Sequence, residues 1–230
     1  MYLEAANGKL FFVSAAAFDL DGVLADTESI HLENEKEACA FFGLKVPSSE
    51  WEGFRGRTAM SIAKEIIGKY GNGNQINPEA FVSKKVEMYM KKISKVQAIP
   101  GSKEFVMNIR KFLPQIALTT SGKRIVQEKV LEVIGLADVF DVTITADDVS
   151  NGKPHPEPYL KTAELLSCSS GECLIIEDSD NGIISAIKAG CIVAGITTSF
   201  SKDVLYGLGA HIVVDCYDEL WRNILRNSMN

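Results

Sequence analysis

The chain has 230 residues, 46% of them hydrophobic and 23% charged, with a net charge of −6. That length and balance suffice to bury a substantial core without a metal or disulfide staple, and they exclude a disordered or fibrous protein. The acidic balance argues against a general nucleic-acid binder but is compatible with local phosphate binding.

The five cysteines, Cys39, Cys168, Cys173, Cys191 and Cys216, form no CxxC pair and no zinc-binding spacing. An odd count in apolar surroundings suits reduced, mostly buried thiols and a cytoplasmic protein. The N-terminus lacks a basic stretch followed by an apolar core, and no run reaches the ~18 apolar residues of a membrane span. No signal peptide and no membrane association are expected.

Residues 1–10 read as a short lead-in and residues 12–18 as a buried central strand. That strand runs into Asp19-Leu20-Asp21-Gly22-Val23. Side chains alternate faces along a strand, so Asp19 and Asp21 can project toward one cleft while Gly22 lets the backbone turn away beneath them. One carboxylate could attack while the other moves a proton. Taken alone, the same residues read equally well as an Asp-Gly turn before a helix.

From residue 27 to residue 42 the period becomes helical, with Ile30, Ala38, Phe41 and Phe42 spaced among acidic residues and Gly43 as the stop. A loop at Pro47-Ser48 leads to Phe54-Arg55-Gly56-Arg57-Thr58 and a second helix over 59–70, broken by Gly71-Asn72-Gly73-Asn74. Asn77 caps a third helix with Pro78 in its first turn, running toward Ile93. After Ile99-Pro100-Gly101 the chain alternates helices (102–112, 123–134, 157–166, 181–189) with short apolar strands (115–119, 142–145, 173–176, 192–196, 211–214), ending in a helix over 219–226. That rhythm predicts an α/β fold, a Rossmann-like doubly wound parallel sheet with an inserted all-helical cap domain. The core would be residues 1–26 and 98–230, the cap residues 27–97.

Four polar clusters then fall at carboxyl ends of strands, where ligands gather in such sheets. They are Asp19 with Asp21, Thr119-Thr120-Ser121, Lys153 in Asn151-Gly152-Lys153-Pro154, and Glu177-Asp178-Ser179. Together they offer a nucleophile or metal ligand, hydroxyl donors, a fixed cation and further carboxylates, which is what transfer of a dianionic phosphoryl group requires. Mg²⁺ prefers such hard oxygen ligands. Separately, each cluster has an ordinary reading as a helix cap, a strand-end hydroxyl or a solvated loop lysine.

In this order the residues resemble the haloacid dehalogenase superfamily of aspartyl phosphatases and phosphomutases, over nearly the whole chain. Asp19-Leu20-Asp21-Gly22-Val23 is similar to the first motif, Thr120 to the second, Lys153-Pro154-His155-Pro156 to the third, and Glu177-Asp178-Ser179-Asp180-Asn181-Gly182 to the fourth. The helical insert resembles that of the phosphoglycolate phosphatase and beta-phosphoglucomutase subgroup. The resemblance implies that Asp19 attacks phosphorus and binds Mg²⁺. Asp21 would be the acid/base and would lend its backbone carbonyl to the metal. Thr120 and Lys153, with Ser121 beside them, would hold the phosphoryl group. Asp178 would bind the metal, and Glu177 would do so directly or through water.

His31, Arg55, Arg57 and Lys85 are candidate substrate contacts from the helical region, against the alternative that they form a solvated face. Where the mutases carry an arginine that grips a distal phosphate, this chain has Ala59; Arg57, two residues earlier, would point about 200° away on a helix. The expected protein is therefore a monomeric Mg²⁺-dependent phosphatase of a small phosphorylated metabolite, with no nucleic-acid partner. A sugar-phosphate mutase is the alternative, and a non-catalytic phosphate-binding module the remaining one.

Overall fold

The computed structural model describes residues 1–225 apart from positions 6, 55, 56, 72 and 74. Its N-terminus forms a hairpin of β1 (Tyr2–Glu4) and β2 (Leu10–Phe12). The central strand β3 (Ala15–Phe18) follows directly, and then β4 (Ala25–Asp26). Three helices come next, α1 (Glu28–Phe41), α2 (Ala59–Tyr70) and α3 (Pro78–Met90), closed off by β5 (Gln97–Ala98). The alternating part comprises α4 (Ser102–Ile109), β6 (Ile116–Thr119), α5 (Arg124–Ile134), β7 (Val142–Ile144), α6 (Glu157–Leu165) and β8 (Cys173–Glu177). It continues through α7 (Asp180–Lys188), β9 (Ile192–Ile196), α8 (Lys202–Gly207), β10 (Ile212–Val214), α9 (Tyr217–Arg222) and β11 (Ile224–Leu225).

Six of these strands form one parallel sheet in the order β10-β9-β8-β3-β6-β7. The chain builds β3, β6 and β7 in one direction and then returns to lay β8, β9 and β10 on the other side, so the order reverses beside β3. Such a reversal opens a crevice at the carboxyl ends of the strands. Every residue of β3, β6, β8 and β9 is buried. On β3, Ala16 and Phe18 join the core on one face while Ala15 and Ala17 join that on the other, as strand alternation requires. This is the Rossmann-like α/β fold that the strand–helix rhythm predicts.

The ends of the chain differ from expectation. The apolar run before Asp19 is two strands rather than one, because the chain bends at Val13-Ser14. Residues 10–12 pair back onto residues 2–4, so the expected lead-in is a strand, and β11 completes that small antiparallel sheet. Apolar content alone does not mark a bend within an apolar run. The last helix stops at Arg222, and α8 was not expected; the predicted stop at Arg226 and the breaker positions Asn72 and Asn74 lie outside the described residues.

The three-helix segment has an apolar core of its own, built from residues such as Cys39, Leu44, Phe54, Ile62, Ile66 and Phe81. Thr58 and Asn77 cap α2 and α3 through their side-chain oxygens. Its two connections to the sheet meet as the β4–β5 pair, Ala25 with Ala98 and Asp26 with Gln97. Among the described residues no helix is long and apolar enough to cross a membrane.

One surface pair ties a helix to the entry of β6. Arg110 donates to both oxygens of Asp141 at 2.7 and 2.8 Å, and the Ile116 backbone N–H donates to the same carboxylate at 2.9 Å. The Arg110 guanidinium, with that backbone bond, outweighs partial burial and holds the Asp141 carboxyl down at about 2. A depressed carboxyl stabilises the fold above its unfolded value of about 3.9, and the contribution is lost as pH falls toward the folded value. Asp141→Asn should therefore cost about 1 kcal/mol at pH 7, after screening at a solvent-facing pair. In urea titrations the gap between the variant and the parent should close between pH 4 and about pH 2.

Candidate active site

Asp19 is the first residue past β3 and stays in register through its N–H, which donates to the Ile176 carbonyl at 3.0 Å. The chain then turns tightly: the Leu20 carbonyl accepts from Leu24 and Ala25 at 2.8 and 2.9 Å, and Gly22 sits at φ +75°. A Cβ on Gly22 would lie 2.0 Å from Asp178 Oδ2. The glycine thus serves both the left-handed backbone and the approach of a second carboxylate.

Lys153, from the loop between β7 and α6, is almost wholly buried. Its ammonium donates to Asp19 Oδ1 at 2.6 Å, Glu177 Oε1 at 2.6 Å and the Thr119 carbonyl at 3.0 Å, which uses all three of its protons. Burial pushes the ammonium toward deprotonation, but Asp19 and Glu177 prevail and hold its pKa above the usual lysine value. Glu177 is fully buried and its oxygens are both engaged. Oε1 also accepts from the Tyr159 hydroxyl at 2.8 Å, and Oε2 from the N–H groups of Asp178 and Ser179 and from Ser179 Oγ. Those N–H groups lie just before α7, whose N-terminus favours a carboxylate.

Asp178 faces the Gly22 turn and accepts from the Ser199 hydroxyl. Thr198 Oγ1 lies 3.2 Å from Asp178 Oδ2 and 2.6 Å from the Gly22 carbonyl, so the loop after β9 braces this carboxylate. Oxygens of Asp19, Glu177 and Asp178 lie within 4.8 Å of one another. Burial, reinforced by Glu177, Asp21 and Asp178, pushes the Asp19 carboxyl well above its usual range, and Lys153 only partly offsets this. Asp19, Glu177 and Asp178 thus bring three buried carboxylates to one place. A divalent cation with a preference for hard oxygen ligands fits that donor set.

Asp21 is treated differently. Its Oδ1 accepts from Thr27 Oγ1 at 2.6 Å and lies 3.0 Å from His31 Nε2. Burial would raise this carboxyl, but His31, Thr27 and Lys153 together hold it below the usual range. Two carboxylates two residues apart are thus pushed in opposite directions, so they can differ in protonation at one pH.

Thr120 follows β6, with its N–H on the Ile144 carbonyl and its Oγ1 accepting from the Gly122 N–H at 3.2 Å. Ser121 lines a cleft of about 150 Å³ together with Asp19, Asp21, His31, Asp178, Arg57 and Lys85. Arg55 lies outside the described residues. Arg57 is bound to the start of its own helix, donating to Ser61 Oγ at 2.8 Å and pairing with Glu65 at 2.8 Å. Lys85 pairs with Glu35 in the cleft wall. His31 stacks on the Tyr89 ring at 4.7 Å.

Several residues at this site were not singled out from the sequence. Tyr159, Thr198 and Ser199 come from positions with no distinctive local pattern. Asn34 and Glu35 lie three and four residues after His31, the helical spacing that could have placed them on the same face.

Fold and site define a hydrolase enzyme. The chain belongs to the haloacid dehalogenase-like hydrolase family, whose model matches residues 16–196. It is 31% identical over 226 residues to glycerol-1-phosphate phosphohydrolase 2 of Saccharomyces cerevisiae (90% of this chain, 84% of that one). It is 29% identical over 174 residues to the fructose-1-phosphate phosphatase YqaB of Escherichia coli (75% and 90%). Among solved structures, beta-phosphoglucomutase from Clostridium difficile superposes with a TM-score of 0.79 at 25% identity, covering 91% of this chain and 93% of that one.

Gly22→Ala tests the turn. An alanine there is strained at φ +75° and drives its methyl into Asp178. A loss of about 1–3 kcal/mol in thermal or urea unfolding is expected, together with a fall of at least about 10²-fold in phosphate release.

Proposed function

We propose that this chain is a Mg²⁺-dependent phosphatase that hydrolyses a small phosphorylated metabolite, a sugar phosphate or similar compound, through an aspartyl-phosphate on Asp19. The observation that carries the reading is the placement of two carboxylates in one cleft, Asp19 bonded to the buried Lys153 ammonium and Asp21 bonded to Thr27 and beside His31.

In this reading the Asp19 carboxylate bonds to phosphorus as the ester P–O bond breaks, and Asp21 passes a proton to the departing oxygen. Water then attacks the phosphorus of the aspartyl-phosphate while Asp21 takes up its proton, releasing inorganic phosphate and restoring Asp19. Thr27 and His31 hold Asp21 as a carboxylate, the form the second step needs. A phosphoryl dianion beside it raises its proton affinity, as the first step needs. Lys153 keeps Asp19 oriented, and Thr120 and Ser121 supply the hydroxyl side of the phosphoryl site. Asp19, Asp178 and the Asp21 carbonyl would hold Mg²⁺, which would supply positive charge to screen the phosphoryl oxygens from the carboxylates. Glu177, with both oxygens taken by protein donors, contributes to that site through water and by anchoring Lys153.

The same reading makes residues 27–97 a cap domain over a core of residues 1–26 and 98–230, moving on the paired link β4–β5. The protein would act as a monomer in the cytoplasm, where its five free thiols stay reduced. A mutase remains the second reading, favoured by the structural likeness to beta-phosphoglucomutase. Hydrolysis is preferred because Ala59 stands where the mutases carry an arginine, while Arg57 and Lys85 are each paired with a carboxylate.

Two measurements test this. Chelation should abolish phosphate release and Mg²⁺ should restore it; full activity in excess chelator rejects the metal. Incubation with beta-glucose 1-phosphate and a trace of the 1,6-bisphosphate separates the two enzymes. Free phosphate should outrun glucose 6-phosphate, whereas efficient isomerisation with little phosphate release makes the chain a mutase.

A further inference from the structure

Three of the five cysteines gather on one face of the sheet. Cys173 is the first residue of β8, and Cys191 directly precedes β9. Those strands pair in parallel from Leu174 with Ile192 onward, so one step back along the same register sets Cys173 beside Cys191. Both are buried in the apolar cluster that also holds Tyr159 and Ala163 of α6, and Cys168 packs against that cluster from the turn after α6. The Cys173 thiol is hydrogen-bonded to both Cys168 and Cys191. Glu177 and the catalytic cleft lie at the other end of β8, about 13 Å along the strand. Cys39 lies instead in the core of the helical segment, and Cys216 is exposed at the start of α9.

The three clustered thiols differ in what can reach them and in how firmly they are held. Cys168 is half-buried, whereas Cys173 and Cys191 are almost fully enclosed. Strand β8 is paired on both sides and β9 likewise, so neither buried cysteine has freedom to shift. Cys168 stands in a short turn that leaves α6 through Ser167, at φ +53°, and is tied there by its N–H to the Ala163 carbonyl. The Cys173 S–H donates to the Cys168 sulfur, which favours a thiolate at Cys168 against partial burial and the Glu172 carboxylate, and holds that thiol below its usual range. The thiolate is the form that reacts with an oxidant. At Cys173 the hydrogen bonds to Cys168 and Cys191, with burial, act in the opposite direction.

We propose that Cys168 and Cys173 form an oxidation site for a hydroperoxide, in which Cys168 reacts first and Cys173 resolves the product into a disulfide. The Cys168 sulfur attacks one peroxide oxygen and the O–O bond breaks. Cys168 becomes a sulfenic acid, and water, or the alcohol of an organic hydroperoxide, leaves with the thiol proton. The Cys173 sulfur then displaces the hydroxyl from that sulfur, forming the S–S bond, and a water leaves with the Cys173 proton. Two thiols give up two electrons and two protons, and one peroxide is reduced by two electrons. Cys191 is not the partner of Cys173, because side chains side by side on one face of a ladder run alongside rather than toward each other. The new bond ties the end of α6 to the start of β8, the two elements that carry Tyr159 and Glu177.

Hydrogen peroxide added to the reduced, folded chain, followed by alkylation of the remaining thiols and peptide mapping, reads the site. The chain should lose two hydrogens and yield a peptide joining Cys168 to Cys173 that dithiothreitol separates. That bond should form at least roughly tenfold faster than the exposed Cys216 is oxidised, and the advantage should vanish in urea. In Cys173→Ala, dimedone should capture a sulfenic acid on Cys168. Cys168→Ser should form no intramolecular bond, and Cys191→Ala should form it as the parent does. A Cys173–Cys191 bond, oxidation no faster than that of Cys216, or an equal rate in urea overturns the site. Mapping of the unmodified chain decides the pairing even where Cys173→Ala fails to fold. None of these readouts involves turnover of a phosphate ester, so the oxidation site and the phosphatase reading stand or fall separately.

Discussion

One ammonium holds the tips of three neighbouring strands together. Lys153 bonds to Asp19 past β3, to Glu177 at the end of β8 and to the carbonyl of Thr119 at the end of β6, and these strands are adjacent in the sheet. With all its protons committed and almost no exposure, it resembles a buried ion pair whose disruption typically costs about 3–5 kcal/mol. The same contacts that hold the lysine charged also orient Asp19 toward the cleft. Tyr159 lies beneath the ammonium with its hydroxyl on Glu177.

So many carboxylates can crowd this cation because the backbone around them lacks side chains. A Cβ on Gly182 would fall 1.8 Å from Glu177 Oε1, just as one on Gly22 would collide with Asp178. Glu177 thus lies directly against the first turn of α7, and the Asp178 and Ser179 N–H groups just before that helix offset part of its desolvation. Asp178 is approached by hydroxyls from the loop after β9.

Above this rigid floor sits a segment with its own apolar core, joined to the sheet by one short antiparallel pair. The connectors are braced from the core side, where Ser102 Oγ donates to the Leu24 carbonyl at 3.1 Å and the Tyr217 hydroxyl to the Val23 carbonyl at 2.9 Å. Beyond that link the segment packs on the main core through Ile30, Tyr89 and Ile93.

The local sequence by itself determined the strand–helix rhythm, the helical insert and the polar clusters at strand ends, because periodicity, capping residues and turn glycines act within a few residues. Asn77 and Pro78 mark the start of α3 for that reason, and Asp19 and Asp21 declare themselves through strand alternation and the glycine that follows. The terminal sheet was invisible: strands of two or three residues have no measurable period, and β11 gains its partner from the opposite end of the chain. Asn34 and Glu35 read as the polar face of an ordinary helix, since nothing local distinguishes a side chain facing water from one lining a cavity. Only the tertiary structure decided which charges meet. Lys153 and Asp19 are 134 residues apart, and their proton affinities depend on burial and on neighbours brought by other strands, which no local pattern records.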